Sequence, residues 1–351
     1  MARLRIPFLS PPRPRADDRL AQDGDPLQIV SDWYLKELGD PACTVATSDG
    51  RSSGDVHALY RIASVTKLFM TLAARRLEAC GRIDLDLSVA AATGLGLPPE
   101  FEVLTLRDML QHRSGLPREL MRFSKLTDGI RALNCGMFGT HIYAGLERMP
   151  GLLHELWSPV YRKMVRRRTG APSYSNVGYG LGWLGIAKQL DMSLARILEE
   201  TILPEYGLRE TTFDPRARPD LKVLELCAGS LPWFYPHGHR IPEHPLGPVF
   251  AAGGGLYASA SDCLRVADAY WSVIDEALAA CAQRPPADGA MLAGMTVRRL
   301  ADGRLVLTRS GMLYGGASFV SFDVANRRVA VILRNVTEWP DDVGVWLMNR
   351  L

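Results

Sequence analysis

Ser64-Val65-Thr66-Lys67 sets a hydroxyl and an amine three residues apart. At that spacing two side chains are neighbours on a helix, so the Lys67 amine can approach the Ser64 hydroxyl. Close to a helix N-terminus the dipole, together with partial burial, lowers an ammonium pKa toward one useful for a base. A serine so placed is a candidate nucleophile. The tetrapeptide alone is a weak signal, because a Ser-x-x-Lys match arises by chance on the order of once in a chain this long. Further candidates follow it in order: Tyr174-Ser175-Asn176, the run Ala251-Ala252-Gly253-Gly254-Gly255-Leu256-Tyr257, and Arg309-Ser310-Gly311 at the end of an apolar, strand-like stretch.

This set resembles the serine β-lactamase and penicillin-binding-protein superfamily, and within it the class C β-lactamase, DD-peptidase and carboxylesterase branch. The segment from Tyr60 to Lys67 (YRIASVTK) is similar to that branch's nucleophile segment, and Leu106 to Pro117 (LRDMLQHRSGLP) to its next signature. Pro172 to Gly180 (PSYSNVGYG) and the triple-glycine segment complete the likeness, which covers most of residues 58 to 335. The resemblance implies an α+β, β-lactamase/transpeptidase-like fold: a central, mainly antiparallel sheet flanked by helices, with an inserted helical lobe and the site in the cleft between them.

It also implies a mechanism. Ser64 attacks an ester or amide carbonyl and becomes acylated, which divides one difficult displacement into two easier ones. Lys67 and Tyr174 share the proton work, and either neutral lysine or phenolate can take the serine proton. Asn176 holds a substrate carbonyl or orients Lys67. The backbone N–H groups of Ser64 and Met312 form the oxyanion hole, and Arg309, Ser310 and Gly311 supply the substrate-binding strand.

Arg309 departs from the family, which carries Lys or His at this strand position. Arginine does not exchange protons at ordinary pH, but it is an excellent bidentate partner for a carboxylate or phosphate. The expectation is that Arg309 recognises an anionic group on the substrate and leaves proton shuttling to Lys67 and Tyr174. Structural readings stand beside the functional ones. His112 stabilises the turn at Ser114-Gly115, and the glycines at 253 to 255 allow tight chain passage beneath the cleft. Trp157, Tyr161, Trp233, Phe234 and Tyr235 are candidates for an acyl pocket, although large aromatics more often serve the core.

The elements that must position these residues follow from caps and periods. Asp25-Pro26 starts a helix with Leu27, Val30, Tyr34 and Leu38 on one face, and a strand over 42–48 turns at Asp49-Gly50. The connection from there to Ser64 is short for the family, which implies a reduced edge of the sheet. Val65, Leu68, Phe69, Leu72 and Leu77 mark the nucleophile helix until Gly81 stops it. Thr105 and Asp108 read as a capping box, and Cys263, Val266, Ala267, Tyr270, Trp271 and Ile274 as one face of a later helix. Strands return at 305–308, 317–323 and 328–334. The division expected is a disordered tail over 1–24, a discontinuous sheet domain over 25–84 and 249–351, and a helical lobe over 85–248.

With 351 residues and a net charge of +3, the chain can bury a large core and gives no reason to invoke nucleic acid. The cluster Arg162, Lys163, Arg166, Arg167, Arg168 reads as a solvated helix face, with docking of an acidic acyl carrier protein as the sharper alternative. The six cysteines lack a Cys-x-x-Cys pair and indicate no disulfide framework. His237, His239 and His244 sit in a proline-rich loop without the carboxylate or thiolate company of a metal site, so no metal or cofactor is called for. Met1 to Arg15 lacks an apolar core, and no stretch is long enough to span a membrane, which places the protein in the cytoplasm. The leading function is a serine hydrolase acting on a small ester or amide. An acyltransferase passing the acyl group to an alcohol or amine is the runner-up, and a non-catalytic binding protein is third.

Overall fold

Both ends of the chain contribute to one seven-stranded sheet, as seen in a computed structural model that describes residues 20, 23–119, 149–229, 237–243 and 246–351. Most of the tail over 1–24 lies outside the described residues, as do Cys135, Trp233, Phe234, Tyr235 and His244. Leu20, assigned to that tail, is instead buried against the sheet.

The first helix, α1 (Pro26–Asp32), begins where Asp25 caps the Leu27 N–H, with proline in the first turn. Strand β1 (Cys43–Thr47) follows, and β2 (Ser52–Ser53) pairs with it at two positions only, so this edge of the sheet is indeed short. The sheet order runs β2-β1-β10-β9-β8-β7-β6, antiparallel throughout, with β6 (Met291–Leu292), β7 (Met295–Arg299), β8 (Leu305–Leu313), β9 (Gly316–Asp323) and β10 (Arg328–Arg334). The short strands β3 (Tyr60–Arg61), β4 (Thr211–Thr212) and β5 (Tyr257–Ala258) form a second sheet with β5 in the middle.

The strand that carries Arg309 to Met312, β8, is not at the edge of the sheet, because β7 and β6 lie beyond it. The last β7–β8 pair is Thr296 with Thr308, so residues 309 to 313 run past the end of β7 and are locally unpaired on that side. The edge character is therefore local to the part of β8 that faces Ser64.

Alternation in β10 explains why both faces of the sheet are covered. Val329, Val331 and Leu333 point into the larger core, whereas Ala330 and Ile332 point into the smaller one. The smaller core is closed by α1 and by a C-terminal helix (Asp341–Arg350) that sequence reading did not identify. Its buried Val343, Trp346 and Leu347 recur at helical spacing, and two acids occupy its first turn. On the larger core's side lie α2 (Thr66–Ala79), the helix that follows Ser64, and the helix Ala260–Ala280, whose predicted face is buried. The Thr105–Asp108 capping box is present at the helix Leu106–Leu110.

A candidate active site

Ser64 does not lie in α2 itself. It occupies a 3-10 turn, Ala63–Val65, that leads into the helix. Ala63 takes a positive φ of 45°, a costly conformation for a residue with a Cβ. That turn brings Ser64 Oγ to 2.9 Å from Tyr174 Oη, so the hydroxyl's partner is the phenol. The Lys67 amine donates to Asn176 Oδ1 at 2.8 Å and to the Gly253 carbonyl at 2.5 Å. Tyr174 Oη donates to the same Asn176 oxygen at 2.9 Å. Asn176 Nδ2 donates to Glu119 Oε1 at 2.8 Å, and these contacts together fix which way the amide points.

The loop carrying Tyr174 is held on both sides by His112. The His112 carbonyl accepts from Ser173 N at 2.7 Å, and its Nδ1 accepts from Ser175 N at 3.2 Å. The ring packs 4.6 Å from that of Tyr174. Burial, reinforced by Arg309 and Lys67, holds the imidazole well below its ordinary pKa, which keeps Nδ1 free to accept. Ser175 then caps the helix Asn176–Leu190 through Gly178 N. The contacts of His112 thus run to the loop that carries the phenol.

On the opposite wall, β8 approaches so closely that a Cβ on Gly311 would stand 2.6 Å from the Ser64 nitrogen and 2.7 Å from the Ile62 oxygen. Arg309 lies on the same face. Its Nε donates to the Ser64 carbonyl at 3.2 Å, Nη1 to the Gly294 carbonyl at 2.9 Å and Nη2 to Tyr174 Oη at 2.9 Å. Each guanidinium nitrogen thus donates once to a protein atom, which uses three of its five N–H donors. Ser310, read as substrate-binding, points to the other face, because strand side chains alternate, and its Oγ donates to Asp341 Oδ1 at 2.6 Å. Met312 follows Gly311 on the strand, paired with Ala317.

Electrostatics couples the two central groups. Burial pushes the Lys67 ammonium down to about 8, with Arg309 adding to the effect and Tyr174 opposing it. Burial would raise the Tyr174 phenol, but the Arg309 and Lys67 cations outweigh it and bring the group to about 8. Each charge favours the other, since an ammonium beside the phenol stabilises phenolate and a phenolate stabilises the ammonium.

Other readings fall elsewhere. Tyr161 is a fully buried core residue, and Trp157 Nε1 donates to the Gly96 carbonyl. The basic cluster divides: Arg162 and Arg166 pair with Glu100, while Lys163, Arg167 and Arg168 border a cavity of about 440 Å³ beside Gly115 and Ser173. His237 pairs with Asp40 at 2.7 Å. Among the described residues no helix is long and apolar enough to cross a membrane. Sequence reasoning missed Glu119, Asp341 and the carbonyls of Gly253 and Gly294. Glu119 directly follows the Leu106 to Pro117 signature and Arg118, a position that was its only signal.

The fold is that of the serine β-lactamase and penicillin-binding-protein superfamily, and the comparisons agree. The β-lactamase family profile matches residues 30–351, and the chain belongs to that family. The structure is similar to a class C β-lactamase from Rhodobacter sphaeroides, with a TM-score of 0.64 at 19% identity over 93% of this chain and 97% of that one. A β-lactamase/D-alanine carboxypeptidase from Pseudomonas syringae gives a TM-score of 0.67 at 15% identity over the same shares. In sequence, a β-lactamase from Providencia stuartii is 26% identical over 153 residues, which spans 44% of this chain and 33% of that one.

Proposed function

We propose that the protein is a serine hydrolase that cleaves an ester or amide through an acyl-enzyme on Ser64. The observation that carries this reading is the 2.9 Å contact between Ser64 Oγ and a Tyr174 oxygen held between two cations. The ionised phenol takes the serine proton as Oγ forms its bond to the carbonyl carbon. Negative charge gathering on the carbonyl oxygen is met by the backbone N–H groups of Ser64 and Met312. Tyr174 returns the proton to the departing alcohol or amine, and water repeats the sequence in reverse to release the acid. Lys67 acts through its charge and through Asn176, since its hydrogen bonds run to Asn176 and Gly253.

Intact-protein mass spectrometry tests this on wild type and Ser64→Ala after exposure to a fluorophosphonate, a p-nitrophenyl ester and a penicillin. The expected result is an adduct that depends on Ser64, with continuous release of nitrophenol. An adduct discharged only by an added amine or alcohol moves the reading to acyl transfer. Failure of every probe to label Ser64 in folded protein defeats both.

A further inference from the structure

The basic residues of the helix Pro159–Arg166 and of the two positions after it keep different company. Arg162 and Arg166 share the Glu100 carboxylate. Lys163, Arg167 and Arg168 instead line the cavity of about 440 Å³, and no acid is among the described residues that line it with them. The dipole of the helix, equivalent to roughly half a negative charge at its C-terminus, favours cations in the last turn but falls well short of three. Part of that negative end is already answered, since Arg167 N donates to the Lys163 and Met164 carbonyls and Arg168 N to that of Val165.

The rest of the lining is that of a binding site. Thr169 and Ser173 bring two hydroxyls, and Thr169 Oγ1 accepts from Ala171 N at 3.3 Å, which leaves its own proton to donate. Val160 and Met164 add apolar surface. The walls are tied together by backbone. A Cβ on Gly115, whose φ is +74°, would stand 2.8 Å from Arg168 Cβ and 3.0 Å from the Met164 carbonyl oxygen, and Ser173 N donates to the His112 carbonyl at 2.7 Å. The volume falls within the range of small-molecule sites, about 300–1,000 Å³, and leaves room beside an anion for an apolar group.

Charge selects the anion. A carboxylate brings one negative charge and two oxygens, which leaves most of the positive charge unanswered. A phosphate monoester carries about two charges and three acceptor oxygens, and a guanidinium can hold it through two parallel hydrogen bonds. We propose that this cavity binds a small phosphate monoester bearing an apolar group, with Lys163, Arg167 and Arg168 at the phosphate, the two hydroxyls as further donors, and the apolar part against Val160 and Met164. None of the side chains placed around Ser64 lines the cavity; the two sites meet at Ser173, which precedes Tyr174. The proposal therefore holds whether or not Ser64 is a nucleophile.

Isothermal titration calorimetry of the whole chain tests it with phenyl phosphate, benzoate and benzyl alcohol. Phenyl phosphate should bind saturably at one site, benzoate about tenfold or more weakly, and benzyl alcohol not at all. The double variant Lys163→Gln/Arg167→Gln should lower the affinity for phenyl phosphate by about tenfold or more. Its thermal midpoint without ligand should match wild type, because both side chains are exposed. Arg196→Gln, which removes an exposed cation elsewhere, should leave the affinity within about twofold. Undiminished binding by the double variant, or benzoate binding as tightly as phenyl phosphate, overturns the proposal. So does the absence of saturable binding by wild type, which would make the three cations a solvated face. Fluorophosphonate labelling of Ser64 is a separate readout, and its failure would sink the acyl-enzyme reading while leaving this one to the calorimetry.

Discussion

Two buried arginines, each set against a tyrosine, lie on opposite sides of the sheet and do opposite things. Arg334 is fully buried beneath β10, where it grips both Asp40 oxygens (2.5 and 3.0 Å), reaches Glu338 at 3.3 Å and stacks 3.9 Å from the Tyr34 ring. Its charge is cancelled by the acids that bind it. Burial therefore wins at Tyr34, pushing the phenol well above its ordinary 10.0 despite the guanidinium alongside. Arg309 has backbone carbonyls and a phenol for partners, and at Tyr174 the cations win. The difference lies in the counter-charge and in the contact with the oxygen: Arg309 donates to Tyr174 Oη beside a second cation, Lys67, whereas Tyr34 Oη has no hydrogen-bond partner among the described residues. A guanidinium matched by carboxylates holds a fold together, whereas one matched by dipoles keeps its field for a neighbour.

The same deletion in the two regions should separate these roles. Tyr174→Phe removes the oxygen that Ser64, Asn176 and Arg309 share, and should lower kcat/KM by about 10²–10⁴-fold with little change in thermal midpoint. Ester hydrolysis within tenfold of wild type would show that the phenol is not the proton acceptor. Arg334→Met removes the guanidinium that Asp40 and Glu338 share, which should cost about 3–5 kcal/mol in chemical denaturation. Per folded molecule, the rate of Ser64 labelling should stay at the wild-type value. A labelling defect in fully folded Arg334→Met would erase the distinction between the two sites.

A smaller effect is expected at Gly311. A methyl group there meets Ser64 N, Ser318 Oγ and the Ile62 carbonyl at 2.6–2.7 Å, two of them backbone atoms that cannot rotate aside. Gly311→Ala should displace the nucleophile by a fraction of an ångström and cost about 10²-fold in acylation rate. Wild-type burst kinetics in this variant would mean that the contact between β8 and the 3-10 turn is not what sets the attack geometry.

Local signals made much of this legible. The capping box, the helix at Asp25-Pro26 and the amphipathic face ending at Ile274 are written within one or two turns of chain, and the structure contains each. The superfamily and its fold were likewise readable, because the motifs keep their order along the chain. The partners of each motif residue were not. That Ser310 turns from the cleft depends on the register of β8 against β9, and that Arg309 meets Gly294 depends on a loop before β7 that sequence reading left unassigned. Strands β6 and β7 are short, and β7 carries two arginines with polar Thr296, so its alternation was easy to pass over. The C-terminal helix had the right spacing, but Gly344 weakened it. The structure gives that glycine a reason, since a Cβ would stand 2.6 Å from the Phe319 ring.

The smallest effect belongs to the mirror of the first substitution. Tyr34 Oη is buried with no hydrogen-bond partner among the described residues, while its ring supports Arg334. Tyr34→Phe keeps the ring and removes a hydroxyl that paid desolvation without return, so stability at pH 7 should stay level or rise by up to about 1 kcal/mol. The sign of the pH dependence follows from the raised phenol. Below pH 10.0 the folded and unfolded chains both hold this proton. Above it the unfolded chain releases the proton and the buried group does not, so wild type loses stability that the variant retains. Urea midpoints at pH 7 and 10.5 should therefore show a gap between variant and wild type that widens with pH. A drop of more than 1 kcal/mol at pH 7 would mean that this hydroxyl supports the Arg334 cluster as the Tyr174 oxygen supports Ser64, and the contrast between the two arginines would then fail at its simplest point.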